Sequence, residues 1–180
     1  SSIPEEQIHW VPVENKGMDI GGFINQLIYC SKHNLSFDLI LKLHTKTKEK
    51  WRKELCDPIC GSIETVIKTI RIFENIPCIG CRVSDEWFIP ISKDNHNVNM
   101  LTGYCSSLGI INPYCKKDPN SHFVGGTIFW SRFSIYMKFF KKNRSFVQQC
   151  YSKMKSGYIT NALETHTHTW ERLLGLLITD

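Results

Sequence analysis

Residues 37–46 read Phe-Asp-Leu-Ile-Leu-Lys-Leu-His-Thr-Lys, and this stretch decides the predicted fold. Its first seven residues form a compact, mostly apolar run that is typical of a β-strand covered on both faces. A strand-like segment at 8–13 and a helical pattern at 20–32 precede it, and helical patterns at 49–55 and 62–73 follow it. Strands that alternate with helices predict an α/β domain with a mostly parallel central sheet flanked by helices, in which this stretch is a central strand.

The second half of the chain continues the alternation. A strand is predicted at 122–130, followed by helices at 133–140 and 146–155. Near the end, Asn161 and Glu164 have the spacing of a capping box at the start of a last amphipathic helix. No repeat or linker divides the sequence, and a length of 180 residues predicts one domain over 1–180.

Composition and charge indicate where the protein is expected to be located and which ligands it is expected to bind. No apolar run is long enough to cross a bilayer, and the first residues do not resemble a secretory signal, so a cytoplasmic location with reduced cysteines is expected. Basic residues are concentrated at 42–53 and 138–144, within a net charge of +5. Such patches attract anions, and a nucleotide diphosphate, a nucleic acid and an acidic membrane surface all meet that description.

The polar end of the stretch 37–46 gives the strongest indication of a ligand-binding site. Strand alternation puts Lys42, His44 and Lys46 on one side if the strand continues that far. At a strand's carboxyl end, two ammonium groups and an imidazole can bind a diphosphate. The alternative is a solvated strand end whose charges only keep the surface soluble.

A loop between the first predicted strand and the first helix is the second candidate. It contains Asn15, Gly17 and Asp19 and lacks both the P-loop spacing and the three spaced glycines of a dinucleotide-binding loop. Asp19 can either cap the helix or hydrogen-bond a ribose or base. Further along the chain, Gly125 and Gly126 let backbone amides approach a sugar or phosphate, or else mark a bulge or a close chain crossing.

Four sequence blocks follow one another over most of the chain. They are Asn15-x-Gly17-x-Asp19-Ile20-Gly21, the stretch 37–46, Phe-Val-Gly-Gly-Thr-Ile-Phe-Trp-Ser-Arg at 123–132, and Trp-Glu-Arg-Leu-Leu-Gly at 170–175. In this order they resemble the rhamnan-synthesis F family of sugar transferases. The resemblance implies a GT-A type fold, a nucleotide-sugar donor, and transfer of rhamnose or a related hexose to a glycan or glycoconjugate acceptor.

The sequence departs from this type of enzyme in two ways. The Asp-x-Asp pair that binds a divalent metal in many GT-A enzymes is absent, and Lys42-x-His44 stands in its place. Either His44, alone or with His166 or His168, holds Mn²⁺ or Mg²⁺, or Lys42 and Lys46 supply the positive charge instead. The resemblance also implies an earlier strand and helix before the Asn15 loop, so the sequence is expected to be a fragment or to omit residues there.

Glu171 is the candidate catalytic base, because inverting sugar transfer needs a carboxylate to accept a proton from the acceptor hydroxyl. Asp85 and Glu86 are rivals, next to Trp87, which can stack on a sugar. The simpler interpretation of Glu171 is a helix-surface residue paired with a basic neighbour.

Several alternatives stay open. Two cysteine pairs, Cys56 with Cys60 and Cys78 with Cys81, have a spacing that a structural zinc tolerates. A catalytically degenerate domain that binds sugar nucleotide without turnover is one functional rival, and a basic module that binds anions or nucleic acid is another. The leading hypothesis expects no nucleic-acid partner, while a peripheral membrane contact through 133–144 remains an option.

Overall fold

The computed structural model describes residues 4–94, 96–116, 121–161 and 163–179. Within these ranges the protein is largely helical, and its strands are two to four residues long. The helices are α1 Met18–Lys32, α2 Glu49–Cys60, α3 Ile63–Asn75, α4 Val98–Leu108, α5 Pro113–Lys116, α6 Phe133–Lys142, α7 Arg144–Ser152 and α8 His166–Thr179. The strands are β1 Leu39–Lys42, β2 Cys81–Arg82, β3 Phe88–Pro90, β4 His122–Val124 and β5 Phe129–Arg132. None of the described helices is long and apolar enough to cross a membrane.

The described strands pair in antiparallel fashion. β1, β5 and β2 form a three-stranded sheet in that order, and β3 and β4 form a two-stranded ribbon. The predicted GT-A-like domain with a mostly parallel central sheet is therefore wrong. An apolar run indicates that a strand is buried but not the direction of the strand beside it, and β5 runs opposite to both of its neighbours.

Three strand predictions need correction. Residues 8–13 form no strand, and the Trp10 side chain is 86% exposed. The stretch 37–46, predicted as a central strand, contains the edge strand β1, whereas the central strand is β5. The strand predicted at 122–130 is two strands, because Gly126 and Thr127 have φ angles of +77° and +53° and turn the chain between them.

Helix predictions fared better, with one exception at the last helix. Ser62 caps α3 by accepting a hydrogen bond from the backbone N–H of Thr65 at 3.1 Å, as predicted. The capping box at Asn161 and Glu164 is wrong, because α8 begins only at His166. The Glu164 carboxylate instead accepts hydrogen bonds from two backbone N–H groups in the first turn of α4.

The sheet separates two apolar clusters. Leu39 and Leu41 of β1 pack with α2 and α3, whereas Ile40 packs into the larger cluster that includes α1, α6 and α8. Lys42 shares the side of Ile40 by strand alternation, so it is buried beneath α1. The antiparallel register pairs Lys42 with Phe129, which places the carboxyl end of β1 beside the turn that connects β4 to β5.

Helix α8 lies close against β4. A Cβ atom at Gly175 would be 2.4 Å from the Cα of Phe123, so only glycine allows this approach. The close crossing brings the preceding turn of α8, with Glu171 and Arg172, to the same β4–β5 turn.

Candidate functional site

The Lys42 ammonium group lies at the centre of the candidate site. It donates to Asp19 Oδ2 at 2.7 Å, to the Thr127 carbonyl oxygen at 2.9 Å and to Thr127 Oγ1 at 3.2 Å, and it lies 3.3 Å from His44 Nδ1. The side chain is 3% exposed. Burial lowers the pKa of Lys42, and the Asp19 carboxylate partly offsets this effect. Lys42 therefore connects α1, β1 and the β4–β5 turn through one buried charge.

Asp19 lies in the first turn of α1 and is the partner of that charge. Its Oδ2 atom also accepts a hydrogen bond of 2.5 Å from the Thr127 hydroxyl. Burial by itself raises the pKa of Asp19, but the charge of Lys42 and the hydrogen bonds from Lys42 and Thr127 oppose it, and the pKa lies below its usual value. Asp19 is thus an ionised carboxylate in a site that excludes most water.

His44 is neutral at physiological pH. Burial and the charge of Lys42 lower the pKa of His44 to about 4, despite the nearby Asp19 carboxylate. Its Nδ1 atom lies 3.3 Å from Lys42 Nζ and 3.5 Å from Asp19 Oδ2. The other ring nitrogen, Nε2, is buried and has no hydrogen-bond partner among the described residues.

Lys46 reaches the site from the loop after β1. Its Nζ atom lies over the Trp51 ring, 4.1 Å from the ring centroid, and Trp51 packs on Trp87 with centroids 5.4 Å apart. Burial lowers the pKa of Lys46, whereas Asp19 and Glu171 raise it. The indole nitrogens of Trp51 and Trp87 are buried and have no hydrogen-bond partner in the described part of the chain. The two rings border the glycine turn, since Cβ atoms at 126 and 125 would lie 3.4 Å from Trp51 and 3.1 Å from Trp87.

The Glu171 side chain extends from α8 to the β4–β5 turn. Its Oε1 accepts a hydrogen bond from the Gly126 backbone N–H at 3.0 Å, and its Oε2 accepts one from Arg172 Nη1 at 2.7 Å. Burial raises the pKa of Glu171, although Arg172 and the Gly126 hydrogen bond oppose the shift. A partly buried carboxylate with a raised pKa is a candidate for a group that accepts a proton during a reaction.

Arg172 holds this carboxylate in place. Its Nε donates to Asp94 Oδ2 at 2.7 Å, and its guanidinium group lies 4.4 Å from the Phe123 ring centroid. The side chains of Arg172 and Asp94 are both buried. Sequence reasoning did not assign roles to Thr127, Arg172 or Asp94. Thr127 and Arg172 lie in the blocks 123–132 and 170–175, beside residues that were assigned roles. Nothing in the sequence around Asp94 indicates a role for it.

The structure places the two remaining residues of the predicted loop differently. Asn15 is exposed, and its carbonyl accepts a hydrogen bond from the Gly157 backbone, while Gly17 donates its N–H to the Lys155 carbonyl. Gly17 has φ = +70°, and a Cβ atom there would lie 2.4 Å from Met154 Sδ. These contacts orient the start of α1, so Asn15 and Gly17 support Asp19 from outside the cluster.

The rival sites do not assemble in the described residues. Asp85 is 89% exposed on its side chain and pairs with Arg82 at 3.4 Å, and Glu86 is exposed. His166 and His168 bond to Tyr104 and Thr165 respectively. The four cysteines of the zinc alternative are free thiols, and the described residues contain no group of three or more His, Cys, Asp or Glu side chains placed to hold a metal ion.

Comparisons with known proteins give a narrow result. The chain is 25% identical over 173 residues to the uncharacterized protein WxcX of Xanthomonas campestris pv. campestris, in strain B100 and in strain ATCC 33913 alike. The match covers 92% of this chain but only 23% of the relatives, so the chain spans about a quarter of their length. No family model matches the chain. No solved structure matches it either.

Proposed function

We propose that this chain is a sugar transferase domain of the rhamnan-synthesis F type, which moves a hexose from a nucleoside-diphosphate donor to a glycan acceptor. One observation carries the proposal. Four blocks separated by up to 150 residues of sequence contribute Asp19, Lys42, Thr127 and Glu171 to one largely buried polar cluster. A purely structural role for the blocks would not require their charged residues to meet at one place.

The cluster contains the groups that sugar transfer requires. The acceptor hydroxyl loses its proton to the Glu171 carboxylate as its oxygen bonds to the sugar's anomeric carbon, and the bond from that carbon to the diphosphate breaks. The leaving diphosphate takes the electron pair, and the positive side chains at the end of β1 stabilise it. Each Glu171 oxygen accepts one hydrogen bond from the protein, which leaves a lone pair for the acceptor hydroxyl.

A divalent metal fits this cluster poorly. Its carboxylates are Asp19, whose Oδ2 already accepts from Lys42 and Thr127, and Glu171, which is bound by Arg172 and Gly126. Two of these donors are cations that would repel a metal ion. The cluster therefore offers no suitable ligand set for a divalent metal.

A second candidate is a domain that binds sugar nucleotide without turnover. It is favoured by the same engagement of Glu171, because both carboxylate oxygens already accept hydrogen bonds, from Arg172 and from the Gly126 N–H, and are less available to an acceptor hydroxyl. Binding is common to both candidates, and only transfer or donor hydrolysis separates them.

The test is a thermal-shift panel of sugar nucleotides on the full chain, with the four common bases, in EDTA and in Mn²⁺ or Mg²⁺. A donor at about 100 times its Kd adds about 2.7 kcal/mol to the folded state, which raises the Tm of a chain this size by about 5–10 °C. A shift with any sugar nucleotide supports the proposal, and no shift in any condition contradicts it. Donor hydrolysis or transfer by the binding protein then identifies the enzyme, and binding without either supports the second candidate.

A further inference from the structure

The hydrogens of the Lys42 ammonium are all used inside the protein. An ammonium has three hydrogens, and four acceptor atoms lie within 3.3 Å: Asp19 Oδ2, the Thr127 carbonyl oxygen, Thr127 Oγ1 and His44 Nδ1. The Thr127 hydroxyl donates its own hydrogen to Asp19, so its oxygen is free to accept from Lys42. No hydrogen remains for a ligand, and the 3% exposed side chain offers no surface for one.

This arrangement determines which nitrogen of His44 carries the proton. An ammonium has no lone pair, so Lys42 cannot accept a hydrogen bond from the Nδ1 atom that faces it at 3.3 Å. A proton on Nδ1 would point towards the Lys42 charge, and its other neighbour, Asp19 Oδ2, lies farther away at 3.5 Å and already accepts two shorter hydrogen bonds. In the neutral ring the proton is therefore on Nε2, the buried nitrogen that has no partner among the described residues.

A donor in this position calls for an acceptor oxygen. A buried N–H without a partner is unfavourable, and a ligand oxygen would remove that cost. The same proton prevents Nε2 from binding a metal, because coordination requires the lone pair that the proton occupies.

Lys46 provides a second donor nearby. Within the described part of the chain its ammonium group lies on the face of Trp51 and forms no ion pair or hydrogen bond. It lies two residues after His44, close enough for its charge to act on the imidazole. His44 and Lys46 thus present unused N–H groups where Lys42 presents none.

We propose that Lys42 is a positioning residue that holds His44 as the Nε2–H tautomer, and that His44 and Lys46 bind the oxygens of a nucleoside diphosphate directly, without a bridging divalent cation. This inference rests on the proposed function, since it assigns the diphosphate part of the same donor. It also reverses the expected roles, because the most buried of the three basic residues does not touch the ligand.

The tautomer is measured first, without any ligand or activity. Two-bond ¹H–¹⁵N correlation spectra of the ¹⁵N-labelled chain distinguish the protonated from the unprotonated ring nitrogen, and the His44→Gln spectrum identifies the His44 signals among the seven histidines. We expect a neutral ring with the proton on Nε2. A proton on Nδ1, or an averaged mixture of both tautomers, overturns the assigned role of Lys42.

Binding of nucleoside diphosphates is measured next by calorimetry, in EDTA and in Mn²⁺ or Mg²⁺. Gln places an amide N–H near the position of Nε2, whereas Leu removes the donor at similar size. We expect His44→Leu and Lys46→Gln to weaken binding about tenfold to hundredfold, His44→Gln to weaken it by only about a few-fold, and the metal to change none of these. Lys53→Gln is the matched control, because Lys53 is exposed and pairs with Glu49 on α2.

The outcomes separate the inference from the function on which it rests. Binding that requires the metal and is lost in His44→Gln identifies His44 as a metal ligand and overturns the inference, while the proposed function stands. Equal affinities of the wild type and His44→Leu overturn it as well. If neither nucleoside diphosphates nor sugar nucleotides bind in any condition, the proposed function fails together with the diphosphate assignment.

Discussion

Replacing Lys42 with Met tests the buried centre of the site. The change leaves the Asp19 carboxylate, 20% exposed on its side chain, without its cation, and it removes the donor to the Thr127 carbonyl. Breaking a buried ion pair from one side costs about 3–5 kcal/mol. Because Asp19 keeps some contact with water, we expect a loss near the lower limit, about 3 kcal/mol, or about 6–12 °C in Tm.

The double variant Lys42→Met/Asp19→Asn makes this prediction specific. Removing both charges avoids an uncompensated buried carboxylate, so the double variant should be about 1–3 kcal/mol more stable than Lys42→Met alone. Urea unfolding at pH 7, followed by tryptophan fluorescence, gives the free energies. Lys46→Met is the control and should cost about 1 kcal/mol or less, since it loses a cation–π contact and no ion pair.

The pH dependence of stability provides a second test of the Lys42–Asp19 ion pair. Asp19 has a lowered pKa in the folded protein, so its stabilising effect is present above the unfolded-state pKa of 3.8 and is lost as the pH falls further. In Lys42→Met, burial without the cation raises that pKa, so the deficit against wild type should shrink between pH 7 and pH 4. A Lys42→Met protein within about 1 kcal/mol of wild type, or a double variant no more stable than the single one, would refute the reasoning.

Three further predictions concern the surrounding residues. Glu171→Gln should lower sugar transfer about 10²- to 10⁴-fold and change donor binding by only about a few-fold, as steady-state kinetics and calorimetry would show; unchanged transfer excludes Glu171 as the base. Gly126→Ala should cost about 1–2 kcal/mol in urea unfolding, because φ is +77° and the new Cβ would lie 3.0 Å from Leu55 Cδ1; an unaffected midpoint contradicts this. His44 has a pKa of about 4 in the folded protein against 6.5 unfolded, so wild type should lose about 2–3 kcal/mol relative to His44→Gln between pH 7 and pH 4.5; parallel stability curves would show an unshifted His44.

The sequence marked three residues that the structure brings close together, but it did not show the direction of the strands. Asp19, Lys42 and Glu171 stand in three of the four ordered blocks, and the resemblance of those blocks to a sugar-transferase family selected them, whereas local composition left simpler structural roles open. The direction of β5 relative to β1 leaves no such trace, because an apolar strand has the same pattern whether its neighbour is parallel or antiparallel. Asp94 was missed for a related reason, since its importance lies entirely in the distant Arg172.

The sequence by itself determined which chemical groups are available, the helical character of α1, α3 and α8, and the alternation that buries Lys42 beside Ile40. Only the tertiary structure decided what those groups do. Burial against α1 and the β4–β5 turn uses every hydrogen of Lys42, and this leaves Nε2 of His44 as the donor without a partner. Spacing along a strand shows which side chains are neighbours, but the hydrogen bonds left for a ligand depend on which distant atoms have already taken the others.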